Sequence, residues 1–158
     1  MNPAVRKELK DYENVGLILE NLQGKIDFAQ VFGRFGPVHI EIGSGKGTFL
    51  VNQAAAQPQV DFLGIEWARK YYRSTVDRIG RRGLTNVRVL RADAPVFLRD
   101  FIPAGTVDCF HIYFPDPWPK KRHHKRRLLQ SSNLEILLRC LKPNGQIRIA
   151  TDHEDYFQ

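Results

Sequence analysis

The 158-residue sequence is short of cysteine, of acid and of long apolar runs, and each shortage removes a class of explanation. No apolar stretch approaches the roughly 18 residues that a membrane-spanning helix needs. The first residues, Met1-Asn2-Pro3-Ala4-Val5-Arg6-Lys7, lead into polar sequence without the apolar core of a secretion signal. A cytoplasmic protein is therefore expected. Cys109 sits in an apolar run and Cys140 on a helix-like face, so both read as reduced core thiols rather than a disulfide or a nucleophile. The five histidines have neither CxxC partners nor HExxH spacing, which argues against a zinc site. No internal repeat or low-complexity tract occurs, and the length suits one domain with one core.

Acid is the minority charge. The chain carries 24 Lys and Arg against 17 Asp and Glu, a formal net charge of +7 and a pI near 9.6. Such a balance favours a polyanionic partner where the charge is clustered. The run Lys120 to Arg127 holds six Lys or Arg and no acid. A second cluster, Arg69, Lys70, Arg73, Arg78, Arg81 and Arg82, falls on one helix with Tyr71 and Tyr72 interleaved. A solvated helix face explains that second cluster as well as contact with a polyanion does.

From about residue 37, strand-like and helix-like segments alternate. Strands are expected at Val38–Ile42, Asp61–Glu66, Asn86–Leu90, Val107–Phe114 and Gln146–Ala150. Helices are expected at Thr48–Gln57, Ala68–Arg82, Pro95–Phe101 and Leu128–Leu141, the last closed by Lys142-Pro143-Asn144-Gly145. The alternation implies right-handed crossovers and a parallel, doubly wound α/β sheet of Rossmann-like type. Residues 1–36 read as an N-terminal extension with short helical patterns such as Ile26–Phe32, and residues 37–158 as the main domain.

In such folds ligands gather beyond the C-terminal ends of the strands. The first strand there runs into Glu41-Ile42-Gly43-Ser44-Gly45-Lys46-Gly47. Gly-x-Gly-x-Gly is by itself a weak signal, and it is not the dinucleotide spacing. Glu41 sharpens it. A carboxylate inside an apolar strand is costly without a partner; it would repel a pyrophosphate but attract a cofactor bearing an ammonium and a sulfonium, which describes S-adenosylmethionine. Glu66, about twenty residues on, suits ribose hydroxyls, and Asp93 an adenine amino group. Each acid alone is more often a helix cap or a solvated residue. Three at successive strand ends beside a glycine loop are harder to dismiss.

The fourth strand leads into Phe114-Pro115-Asp116-Pro117-Trp118-Pro119-Lys120-Lys121-Arg122-His123-His124-Lys125-Arg126-Arg127. Alternating prolines fix φ and predict a stiff loop that presents Asp116 and Trp118. The basic run directly after it favours phosphate contacts.

At these residues the sequence resembles the bacterial tRNA (guanine-N7)-methyltransferase family, over roughly residues 36 to 156. The proline-and-basic segment is the most specific match, and Glu41-Ile42-Gly43-Ser44-Gly45-Lys46-Gly47, Gly64-Ile65-Glu66 and Thr151-Asp152 agree in order and spacing. The resemblance implies a class I S-adenosylmethionine-dependent methyltransferase fold, here without its last two strands and a C-terminal substrate motif. It implies that Glu41, Gly43, Glu66, Asp93, Ala94 and Asp116 line the S-adenosylmethionine site, with S-adenosylhomocysteine as product, and that Asp116 is the active-site acid. It implies that Lys120 and Asp152 meet the substrate, and that Arg122, His123, His124, Lys125, Arg126 and Arg127 contact tRNA. The expected reaction forms 7-methylguanosine in the variable loop. The expected partner is tRNA, with no membrane and no metal, for a monomer or weak homodimer. Two other classes compete: methylation of an adenine amino group, since Asp116-Pro117-Trp118 loosely matches the loops of those enzymes, and a non-catalytic RNA-binding module. A nicotinamide oxidoreductase fits least.

Overall fold

The computed structural model describes residues 9, 12–116 and 120–152. Its six strands are β1 (Gly16–Leu17), β2 (Val38–Ile42), β3 (Asp61–Ile65), β4 (Val87–Leu90), β5 (Val107–Tyr113) and β6 (Leu141–Ala150). All pair in parallel, in the order β1-β4-β3-β2-β5-β6. The helices are α1 (Phe28–Phe32), α2 (Thr48–Ala56), α3 (Arg69–Arg81), α4 (Ala94–Phe101) and α5 (Ser131–Cys140). The chain starts its main run at β2 in the sheet's middle, moves outward through β3 and β4, and returns across β2 to β5. That reversal places a crevice between the ends of β2 and β5.

Side-chain parity explains the two covered faces. In β2, Val38, Ile40 and Ile42 point to one side and pack with Phe97, Leu98, Ile102 and Leu137 of the α4–α5 layer. On the other side Leu50, Val51 and Ala54 of α2 and Val76 and Ile79 of α3 pack on Phe62, Val87 and Val89. Phe62, Phe97 and Phe110 are fully buried, and truncating any one to Ala costs about 3–5 kcal/mol. Both cysteines are buried and free.

Asp108 clasps the sheet's far end: its Oδ2 accepts from Val38 N (2.8 Å) and from Lys142 Nζ (3.0 Å). The expected Lys142–Gly145 turn survives as an irregularity inside β6. Leu141 is opposite Val107 and Gln146 opposite Cys109, so the residues between bulge outward, with Asn144 at φ 67°. The sequence predicts no strand before residue 38, yet Gly16 and Leu17 extend the sheet beside β4. Among the described residues, no helix is long and apolar enough to cross a membrane.

Candidate active site

The glycine loop follows β2 because three positions demand a left-handed backbone: Gly43, Gly45 and Gly47 have φ of 76°, 54° and 77°. An added Cβ at Gly43 or Gly45 would meet open space, so conformation rather than crowding selects glycine there; at Gly47 it would also strike Thr75. Gly43 N donates to Ile65 O (2.8 Å), which folds the loop back over β3. Gly64 makes that possible, since a Cβ on it would lie 2.6 Å from Leu50 Cδ2 and 3.3 Å from Ser44.

Glu41 lies beneath this loop, opposite Gly64 in the β2–β3 register, and is only 4% exposed. Its Oε1 is buried without a hydrogen-bond partner. Burial, and secondarily the neighbouring charge of Glu66, push its pKa up to about 8. A carboxylate in this state is poised to ionise when a cation arrives. Glu66, at the end of β3, is tied to backbone: Oε2 accepts from Gly45 N (2.7 Å) and Oε1 from Ala68 N (3.1 Å). Asp93 caps α4, its Oδ1 accepting from Val96 N (3.2 Å), and Ala94 is the first residue of that helix. The helix-cap role and the site position coincide in one residue.

A cleft of about 370 Å³ opens at the C-terminal ends of the strands, within the range of small-molecule sites. Gly43, Glu66, Asp93, Asp116 and Arg126 line it together with Tyr113. Glu41 is buried in β2, in register with Gly64, and does not line the cleft. Asp116 is exposed at the cleft, reached through Phe114, whose φ of 51° turns the chain sharply after β5. That left-handed residue stores about 1 kcal/mol of strain at the entry to the loop. Pro117, Trp118 and Pro119 lie outside the described residues.

The basic run is a short 3₁₀ turn, Lys121–Arg126, which its residue pattern does not predict. Gln130 Nε2 donates to the carbonyls of Lys125 (2.6 Å) and Arg127 (2.8 Å), and Asn133 Nδ2 to that of Arg127 (3.4 Å). The start of α5 thus fixes the backbone of the run. Lys120, Arg122, Lys125 and Arg126 are exposed, His123, His124 and Arg127 half-buried. Of the run, only Arg126 lines the cleft. Asp152 is exposed past the end of β6 and does not line it.

Sequence reasoning missed a hydrogen-bonded chain on the α2 side of β2 and β5. Tyr113 Oη lies 2.6 Å from His111 Nδ1, and His111 Nε2 lies 2.9 Å from His39 Nδ1. Burial holds both imidazoles below their usual range, His111 to about 4, so both are neutral at pH 7. Two neutral tautomer sets satisfy both contacts, with the protons running either from the tyrosine hydroxyl through His111 to His39 or the reverse way. Cys109 Sγ is near enough that its donor atom and the two imidazole nitrogens lie within 4.8 Å of one another. Burial raises the thiol's pKa, and the imidazole nitrogens bond each other, so the cluster is a neutral brace behind the Tyr113 wall of the cleft. Alternation in β2 and β5 hinted at this stripe, but only the register brings it together.

A parallel sheet of this order, with a glycine loop after its central strand and acids at the next strand ends, defines the Rossmann-like class I methyltransferase fold. A solved S-adenosylmethionine-dependent methyltransferase from Aquifex aeolicus superposes with a TM-score of 0.56 over 77% of this chain and 60% of its own, at 22% identity. That likeness shows the fold alone. Residues 36–158 match the family described as "Putative methyltransferase", and the chain belongs to that family. It is 47% identical over 134 residues, 85% of this chain, to a protein named tRNA (guanine-N(7)-)-methyltransferase from Nitrosomonas eutropha. It is 43% identical over 157 residues, 99% of this chain, to one so named from Nitrosococcus oceani. The chain spans 60% and 66% of the lengths of these two relatives.

Proposed function

We propose that this chain carries the cofactor site and part of the substrate surface of an S-adenosylmethionine-dependent enzyme that methylates N7 of a guanosine in the variable loop of tRNA. The observation that carries the cofactor half is Glu41, a buried carboxylate with an unpartnered oxygen under a glycine loop. Its chemistry fits a cationic ligand and disfavours a pyrophosphate. The names of the relatives and the exposed basic run support the tRNA half.

S-adenosylmethionine, when bound, supplies a methyl group on a positively charged sulfur. Glu41 would ionise toward that charge and toward the ammonium. Glu66 would keep the glycine loop closed through Gly45 while offering its remaining lone pairs to ribose hydroxyls. Asp93 would accept from the adenine while capping α4, beside Ala94, and Gly43 would let the backbone approach. Guanine N7 has an in-plane lone pair, so no proton needs removal before attack, and the protein's work is alignment and electrostatics. Asp116 orients the guanine and offsets the positive charge that grows on the base. Lys120 and Asp152 meet the substrate, and Arg122 to Arg127 hold phosphates.

The test is nucleoside analysis of tRNA incubated with the intact protein and methyl-labelled S-adenosylmethionine. Labelled 7-methylguanosine is the expected product. Label on an adenine amino group, or none, would overturn the reading.

A further inference from the structure

Among the described residues, Arg34, Arg81 and Arg99 are neutralised by aspartates, Asp61, Asp77 and Asp100 respectively. Arg69, Arg73 and Arg91 differ. All are exposed, none pairs with a carboxylate among the described residues, and all line one groove of about 820 Å³. One wall is α3; the other is the segment that carries β1. That segment is seated firmly. Val89 N donates to Val15 O (3.0 Å), Gly16 lies against the Tyr72 hydroxyl, and Gly80 lies against the Tyr12 ring, each too close for a side chain. Tyr12 and Tyr72 therefore give the groove fixed aromatic surfaces, and Glu13 is the one acid among the described residues that line it. Arg91 is held in place by its own neighbour: its Nε donates to Trp67 O (2.8 Å), and its guanidinium lies 4.9 Å from the centre of the Trp67 ring.

We propose that this groove is a second RNA-binding site, taking the phosphates and an unstacked base of a looped segment; the occupant's identity rests on the tRNA reading above. Guanidinium groups match phosphate oxygens bidentately, and fixed tyrosine faces accept bases without sequence preference. Position supports it. Trp67 directly follows Glu66, and Arg91 lies two residues before Asp93, so the groove adjoins the cleft on its β4 side. The basic 3₁₀ turn borders the cleft from the β5 side. In the order β4-β3-β2-β5 those strands are three spacings apart, about 14 Å. Positive surfaces on both flanks hold an RNA loop across the cleft rather than beside it.

The test uses the intact protein with bulk tRNA as probe, comparing wild type, Arg69→Ala/Arg73→Ala and Arg69→Lys/Arg73→Lys. The alanine pair is expected to weaken tRNA binding about tenfold at roughly 0.15 M salt and to lower the log–log salt slope by about 1.5. S-adenosylmethionine affinity should stay at the wild-type value, and the lysine pair should recover the slope. An alanine pair with wild-type tRNA affinity and slope, in a protein that does methylate tRNA, overturns the groove alone. A wild type that binds S-adenosylmethionine but neither binds nor methylates tRNA overturns the tRNA reading, and the groove's occupant with it.

Discussion

The two halves of the cleft are built on different physical terms. On the β2–β3 side the acids are buried or bonded to backbone: Glu41 sits at 4% exposure and Glu66 grips Gly45 and Ala68. On the β5 side Asp116 is exposed, and the basic run is a single 3₁₀ turn braced by Gln130 and Asn133. On the proposed function, the first half holds a small cation, which low dielectric and fixed geometry favour. A half that must admit a polyanion benefits from exposed, solvated cations, whose attraction acts at a distance and is salt-dependent.

The sharpest way to break this contrast is to neutralise Asp116. In the intact protein, Asp116→Ala is expected to lower kcat by about 10²-fold, with cofactor affinity measured separately changing little. Wild-type turnover would remove Asp116 from the mechanism. Reversing charge at Lys125, Arg126 and Arg127 comes next: tRNA binding should weaken by about 10²-fold and the salt slope fall by about 2.5. An unchanged slope would detach the β5 side from RNA.

Glu41→Gln probes the buried half with a smaller effect. Cofactor affinity at pH 8 should fall about tenfold. The pH dependence carries more information. Free Glu41 titrates near 8, against an ordinary value of 4.5, and a cation in the site favours its ionised form. The ratio of wild-type to variant affinity should therefore rise with pH up to about 8, by at most about tenfold per unit, and then level off. A flat ratio would mean that no cation faces Glu41. Stability runs the other way. The folded chain holds this proton more tightly than the unfolded one, so Glu41 stabilises most below pH 4.5 and loses that contribution as pH rises through about 8. Without cofactor, Glu41→Gln should melt at a higher temperature than wild type at alkaline pH. The smallest effect expected is from Tyr113→Phe. It removes the hydroxyl partner of His111 and should cost about 1 kcal/mol in denaturant unfolding, with turnover nearly unchanged.

Much of the sheet was legible because buried parallel strands are short apolar runs between punctuated helices. β2 was located to the residue, and α2, α3 and α4 to within one residue at each end. β1 was not legible: two residues carry no periodicity, and only pairing with β4 makes Gly16–Leu17 a strand. At the site, residue types and strand ends were readable, and Gly43, Glu66, Asp93 and Asp116 do share one cleft. Their partners were not readable. The Glu66 bond to Gly45 depends on left-handed turns, and the His39–His111–Tyr113 chain depends on inter-strand register, which local sequence does not encode.

Gly64 has a consequence that reaches past packing. The loop after β2 and helix α2 come close to β3 over position 64, where a side chain would meet Leu50 and Ser44, and that position is the register partner of the buried Glu41. A methyl group there would press on the Leu50 side chain and on Ser44, and any water it admitted beside Glu41 would lower the carboxyl's raised pKa. The setting of the buried carboxyl thus depends in part on an adjacent strand, at a residue that has no titratable group at all.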